Sequence, residues 1–142
     1  AKRSPVTYLH KAAGVNLDIN AGVTDGHGGG SVPFTHSLHA FNRVVPADQR
    51  LSPELIQEFY KRQALPDGLA RAMPDALYQG KSVIFRKVFK NTRVTIFNGV
   101  HEIIHNAALN WLAQQRRDQS AEWNIAPEYD LQTHADESES GK

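Results

Sequence analysis

The chain contains no cysteine and only one methionine among its 142 residues. Without cysteine the chain can form no disulfide, no thiolate nucleophile and no thiolate-bound metal centre. The absence of cysteine does not indicate whether the protein works in an oxidising or a reducing compartment. No apolar run approaches the roughly 20 residues that a helix needs to cross a bilayer, so we expect no membrane partner. The formal net charge of +1 is too small to indicate nucleic acid as a partner. These absences exclude several classes of protein but leave the cellular location undetermined.

The length of the chain allows one folded domain. With 40% hydrophobic residues it can bury a single core at most. The pattern of apolar and turn residues predicts a domain over residues 4–117, in which 46–80 is an insertion. From about residue 118 the chain is polar and loses its periodicity, which predicts an acidic tail over 118–142, disordered from Asp130 to Lys142.

Hydrophobic periodicity predicts an alternating order of strands and helices. The apolar run from Val15 to Val23 has the length of a strand, and it ends in a glycine-rich loop. The run from Ser82 to Phe89 fits either a helix or a strand. Alternating strands and helices predict a parallel sheet covered by helices, which is the α/β class. The remaining predicted elements are a short helix from Ser4-Pro5 that ends at Gly14, helices beginning near Ser31 and at Ser52-Pro53, a strand at 93–97 and a helix from about His101 to Gln115.

The stretch His101-Glu102-Ile103-Ile104-His105 matches H-E-x-x-H, a zinc-peptidase pattern in which both histidines bind the metal and the glutamate is the general base. That chemistry requires all five residues to lie on one helix. The preceding sequence argues against this, because residues 93–97 are β-branched and aromatic and Asn98-Gly99 is a turn dipeptide. A helix could begin only at about His101, and a third zinc ligand is hard to place.

The same stretch has a second interpretation, in which a strand is followed by a tight turn and then by a histidine. Asp25 lies in the glycine-rich loop after the first predicted strand, and His101 follows the last one. Because the carboxyl ends of parallel strands meet at one edge of a sheet, we expect these two side chains to lie within hydrogen-bonding distance. Such a pair is the acid-base part of a Ser-Asp-His triad, in which the carboxylate orients the imidazole and the imidazole deprotonates serine.

Two segments of the chain contain a distinctive combination of motifs. Over residues 18–42, Asp-Gly-His leads through Gly-Ser-Val-Pro into a helix with His-Ser and Ala-Phe-Asn. Over residues 93–112, His-Glu-Ile follows the last strand and Ala-Ala-Leu-x-Trp-Leu forms the final helix. The two segments resemble bacterial α/β-hydrolases related to prolyl oligopeptidases and carboxylesterases, and the resemblance covers most of residues 5–115. It implies the C-terminal part of the three-layer α/β-hydrolase fold, with Asp25 as the triad acid and His101 as the triad base.

The chain lacks the nucleophile that such a triad needs. No G-x-S-x-G occurs in it, and in the nearest approximation Pro33 replaces the closing glycine. Ser31, the serine of that approximation, is better interpreted as the N-cap of the following helix. We therefore expect the chain to be the C-terminal half of a serine hydrolase that acts on small-molecule or oligomeric carboxylic esters without a cofactor. The serine and the oxyanion hole would lie on an N-terminal half outside this chain, and the sheet here would be incomplete.

Three alternatives to the esterase hypothesis stay open at this point. A prolyl-oligopeptidase-like peptidase would use the same triad, so the sequence does not separate amide from ester substrates. A zinc metallopeptidase would bind its metal through His101 and His105, with Glu102 as the base. A non-catalytic binding fragment would account for the missing nucleophile.

Overall fold

A computed structural model describes residues 5–12, 14–28 and 31–128 of the chain. This part contains three strands, three α-helices and four short 3-10 turns. The disorder predicted for residues 130–142 lies outside the described residues. No described helix combines the length and the apolar character that crossing a membrane requires. The elements in chain order are β1 (Leu17–Gly22), α1 (Thr35–Val44), α2 (Pro53–Arg62), β2 (Val83–Phe89), β3 (Thr92–Phe97) and α3 (His105–Gln114).

The described strands form one mixed sheet in the order β1-β3-β2. β1 runs parallel to β3, in a register that places Gly22 opposite Phe97, so both strands end at the same edge of the sheet. The expectation of a parallel sheet is correct for this pair and wrong for β2, which is antiparallel to β3. The physical reason is the two-residue connection Lys90-Asn91, where Lys90 is left-handed and the chain reverses directly as a hairpin.

The central strand β3 is buried along its whole length because apolar groups cover both faces of the sheet. Val94 and Ile96 point to one side, where they pack with residues of α1 and α2. Phe97 points to the other side, in a cluster with Ala107 of α3 and with Tyr78, which precedes β2. The chain is therefore a mixed α/β fold in which helices lie on both faces of a three-stranded sheet.

The segment 46–80, which the sequence marks as an insertion, is part of this packing. Ile56 and Phe59 of α2 are buried in the first cluster, and Tyr78 is buried in the second. The α2 helix begins as predicted, since the Ser52 hydroxyl caps it by accepting the Leu55 N–H at 3.2 Å. The segment therefore packs on both sides of the sheet.

Two helices begin later than the sequence indicates. α1 begins at Thr35, so the prediction that Ser31 is its N-cap is wrong. The reason is Pro33, because a residue that precedes proline is disfavoured in helical conformation and a helix starting at Ser31 would need Val32 to adopt it. α3 begins at His105 instead of His101. Residues 98–104 instead form a turn and an irregular segment between β3 and α3.

A buried ion pair aligns the two parallel strands. Asp18 on β1 faces Arg93 on β3 in the sheet register, and the guanidinium donates two hydrogen bonds to the carboxylate, at 2.8 and 2.7 Å. The side chains are only 3–4% exposed. Burial alone would lower the pKa of Arg93, but the hydrogen bond and negative charge of Asp18 more than offset it and the pKa is raised. This bidentate pair fixes the register that brings the two strand ends level.

The first part of the predicted tail packs against the domain. The Trp123 indole stacks on Trp111 of α3 with 5.9 Å between ring centroids, and its N–H donates to the Lys90 carbonyl at 2.9 Å. Ile125 packs against the second apolar cluster. The mostly polar composition from residue 118 onward gives no indication that these two apolar side chains pack against the domain. Residues 118–128 belong to the fold.

Candidate active site

Asp25 and His101 form a hydrogen-bonded pair at the edge of the sheet where β1 and β3 end. The Nδ1 atom of His101 lies 2.7 Å from the Oδ2 atom of Asp25, which confirms the proximity that the sequence predicts. The Asp25 side chain is 8% exposed and the His101 side chain 64% exposed. Since an ionised carboxylate can only accept, we assign the proton to Nδ1, which leaves the Nε2 lone pair available as a base.

The acid loop, residues 23–28, places Asp25 directly after β1 through a series of tight turns. The Asp25 N–H donates to the Gly22 carbonyl at 3.1 Å, and the Phe34 N–H donates back to the Asp25 carbonyl at 3.3 Å. Gly26 has a φ of +83° and packs so closely on Pro33 that a Cβ atom would lie 2.6 Å from the proline Cα. Position 26 therefore requires glycine, both because of its positive φ and because a side chain would collide with Pro33.

The acid loop contacts the base loop, residues 98–104, through hydrogen bonds to its backbone. Thr24 donates twice to the Gly99 carbonyl, from its N–H at 3.1 Å and from its hydroxyl at 2.8 Å. A Cβ atom on Gly22 would lie 2.2 Å from the Val100 carbonyl oxygen, so the end of β1 can meet the base loop only because Gly22 has no side chain. These contacts hold the two loops at a fixed separation.

The base loop is also held from the side of β2. One carboxylate oxygen of Glu102 accepts the Val100 N–H at 3.0 Å and the ammonium of Lys81 at 2.8 Å. The hydrogen bond from Lys81, followed by the one from Val100, lowers the pKa of Glu102. Lys81 lies 21 residues before Glu102, and sequence reasoning gave no signal for this contact.

The second oxygen of Asp25, Oδ1, is buried and has no hydrogen-bond partner among the described residues. Buried carboxylate oxygens in proteins usually accept at least one hydrogen bond. Within residues 5–12, 14–28 and 31–128, the hydrogen-bonding capacity of this carboxylate is therefore directed to His101. That arrangement suits an acid whose role is to orient one imidazole.

A cleft of about 510 Å³ opens beside the pair. Its volume is in the range of pockets that bind small molecules. Val32, Phe34 and Ile103 make much of its wall apolar, and Ser37 of α1 also borders it. Ser31, the weak nucleophile candidate of the sequence, is not among the described residues that line it. The exposed imidazole of His101 is thus next to a space that an apolar organic group could enter.

The H-E-x-x-H geometry of a zinc peptidase is not formed. Such a site needs a helix through both histidines, whereas α3 begins at His105 and His101 lies in the irregular segment before it, bound to Asp25. No group of three His, Asp or Glu side chains within the described ranges is arranged to hold a metal ion. The five residues of the motif therefore comprise an irregular segment that contains His101 and the first residue of α3, His105.

No protein-family model, no curated protein and no solved structure matches the chain. The identity of the site therefore depends on its own geometry and on the resemblance of the two sequence segments.

Proposed function

We propose that this chain supplies the acid and the base of a serine hydrolase of the α/β-hydrolase type, acting on carboxylic esters. The observation that carries the proposal is the 2.7 Å contact between the Asp25 carboxylate and the His101 imidazole, at the ends of two neighbouring parallel strands. Acid and base follow their strands in the chain order of that fold. The cleft beside the imidazole gives a substrate access to the free ring nitrogen.

The exposures of the two side chains suit the two roles. The nearly buried carboxylate of Asp25 fixes the ring orientation and stabilises the imidazolium that forms during the reaction. The Nε2 atom of the exposed His101 ring takes the proton from a serine hydroxyl as the serine oxygen bonds to the ester carbonyl carbon. His101 then gives that proton to the departing alcohol, which leaves an acyl-serine. A water molecule, deprotonated in the same way, releases the carboxylic acid and restores the serine.

The nucleophile in this proposal comes from residues outside the chain. Two observations support this: no G-x-S-x-G occurs in the sequence, and the His101 ring is 64% exposed beside an open cleft. The partner of the chain is then the N-terminal half of the same hydrolase, which also carries the oxyanion hole. This chemistry requires no cofactor.

The test is labelling of the full-length protein with a fluorophosphonate probe, which forms a covalent bond only with an activated serine. We expect His101→Ala to reduce the labelling rate by roughly 10³-fold or more, because the base is lost. The matched control is His39→Ala, which removes an exposed imidazole of α1 that lies outside the cleft lining. A wild-type protein that takes up no label, or a His101→Ala variant that labels at the wild-type rate, contradicts the proposal.

The ester assignment has its own test, since a peptidase would use the same pair. Turnover of p-nitrophenyl acyl esters is compared with turnover of p-nitroanilides that carry the same acyl group. We expect esters to be hydrolysed and anilides to be left intact. Comparable specificity constants for the two series would replace the esterase with a peptidase.

A further inference from the structure

The carboxylate next to the catalytic base binds two donors with a single oxygen atom. Glu102 Oε1 accepts the backbone N–H of Val100, the residue before His101, and also the ammonium of Lys81. The side chains of Glu102 and Lys81 are 27% and 37% exposed, so the pair is shielded from water only in part. The carboxylate is thus fixed between the turn that presents His101 and a residue from another part of the chain.

Lys81 is itself anchored on both sides. Its N–H donates to the Tyr78 carbonyl at 3.0 Å, and Tyr78 is a buried residue of the second apolar cluster. The next residue, Ser82, accepts the Asn98 N–H with its carbonyl at 2.8 Å. The backbone around Lys81 is therefore held by a core residue, Tyr78, and by Asn98, the first residue of the base loop.

We infer that Glu102 is a positioning residue that holds the base loop through its hydrogen bond from Val100, so that the His101 ring meets Asp25. Glu102 contacts no reacting atom and acts through the backbone of Val100. Thr24 fixes the same loop from the acid loop through the Gly99 carbonyl. The base loop is therefore held from two sides, by Thr24 after the end of β1 and by Glu102 together with the segment before β2.

The close packing of the turn explains why one hydrogen bond matters. A Cβ atom on Gly99 would lie 2.4 Å from the Glu102 oxygen, so the carboxylate rests directly against the backbone of the turn. Removal of the carboxylate leaves a space there and leaves the Val100 N–H without its acceptor. A displacement of about 1 Å at a catalytic group reduces a rate by roughly 10²-fold.

Three variants of the full-length protein separate the hydrogen bond from the ion pair. Glu102→Ala removes both, and we expect kcat for ester hydrolysis to fall by roughly 10²-fold with KM unchanged. Glu102→Gln keeps an oxygen that accepts from Val100, and Lys81→Met removes only the ammonium. We expect each of these to lose no more than about fivefold, because partly exposed ion pairs contribute little. Glu58→Ala, which breaks an exposed pair with Arg62 on α2, is the control and should match the wild type.

The catalytic consequence rests on the proposed function, so a second readout is independent of catalysis. The ring-nitrogen chemical shifts of His101, measured by NMR with isotope-labelled histidine, report which nitrogen carries the proton. We expect Glu102→Ala to move them toward the values of an Asp25→Asn reference, and Glu102→Gln to keep the wild-type values. If no variant of the protein hydrolyses esters, the proposed function fails while these shifts still decide the positioning role. Wild-type shifts in Glu102→Ala, or an equal change in the Ala and Gln variants, overturn the inference.

Discussion

The closest backbone approach in the site gives a prediction that can be worked out from distances. In Gly22→Ala, the new Cβ atom would lie 2.2 Å from the Val100 carbonyl oxygen and 2.4 Å from the Gly99 carbonyl carbon. Real Cβ atoms are not found within 3.0 Å of such atoms, so the base loop must move away by about 0.8 Å, the difference between 3.0 and 2.2 Å. Both contacted atoms belong to backbone, which cannot rotate away as a flexible side chain would.

The movement is large enough to disrupt the acid-base pair. If the contact between His101 and Asp25 opens by the same amount, its 2.7 Å distance becomes about 3.5 Å, the outer limit of a hydrogen bond. We expect the fluorophosphonate labelling rate to fall by roughly 10²-fold. The overpacking should also lower the free energy of unfolding by about 1–3 kcal/mol.

The matched control is a glycine whose replacement lowers stability for a different reason. Gly68 has a φ of +84°, and a Cβ atom added to it would meet nothing within 4 Å. Gly68→Ala should therefore cost about 1–2 kcal/mol through backbone strain alone and leave the labelling rate of the folded protein unchanged. Urea unfolding and labelling kinetics are measured on both variants. A wild-type labelling rate in Gly22→Ala would refute the claim that this close approach sets the geometry of the pair, and equal rate losses in both variants would attribute the effect to stability.

Three further predictions concern the charged groups of the site and the sheet. Asp25→Asn should reduce the acylation rate by roughly 10⁴-fold, because the amide no longer holds His101 in the required tautomer; single-turnover kinetics measure this, and a loss below tenfold would contradict it. Asp18→Asn leaves the buried Arg93 guanidinium without its counter-charge, so urea unfolding should show a loss of about 3–5 kcal/mol, whereas a loss below 1 kcal/mol would speak against the buried pair. Folding lowers the pKa of Glu102 from its usual 4.5, so its ionised form stabilises the fold above about pH 4.5, and this contribution is lost as the pH falls through the folded-state pKa. Glu102→Gln should accordingly flatten the pH dependence of the urea midpoint below pH 4.5, and an unchanged profile would count against the Lys81 contact.

The contact between Asp25 and His101 could be predicted from the sequence because it depends on a general property of parallel strands. Two strand-like segments, each followed by a loop with a titratable side chain, place those side chains at one edge whenever the strands pair in parallel. The α2 helix was equally predictable, since Ser52-Pro53 is a local signal for a helix start. In both cases the information lies within a few residues of the feature itself.

The features that could not be predicted depend on contacts between distant residues. The orientation of β2 is set by the turn Lys90-Asn91, which lacks the glycine that usually marks a two-residue hairpin. Backbone hydrogen bonds from Val100 to Glu102 and from Asn98 to Ser82 hold the base loop, so helical periodicity alone predicts too early a start for α3. The anchoring of Trp123 depends on Lys90, 33 positions earlier in the chain. The local sequence around each of these residues does not indicate which distant residue it contacts.

Peptide mass spectrometry of the fluorophosphonate-labelled full-length protein identifies the residue that carries the label. We expect one labelled serine, outside residues 1–142, whose labelling disappears in His101→Ala. A label on Ser37 or Ser31, or a label that forms equally well without the His101 imidazole, would contradict the assignment of Asp25 and His101 as the acid and base of a hydrolase whose serine lies elsewhere.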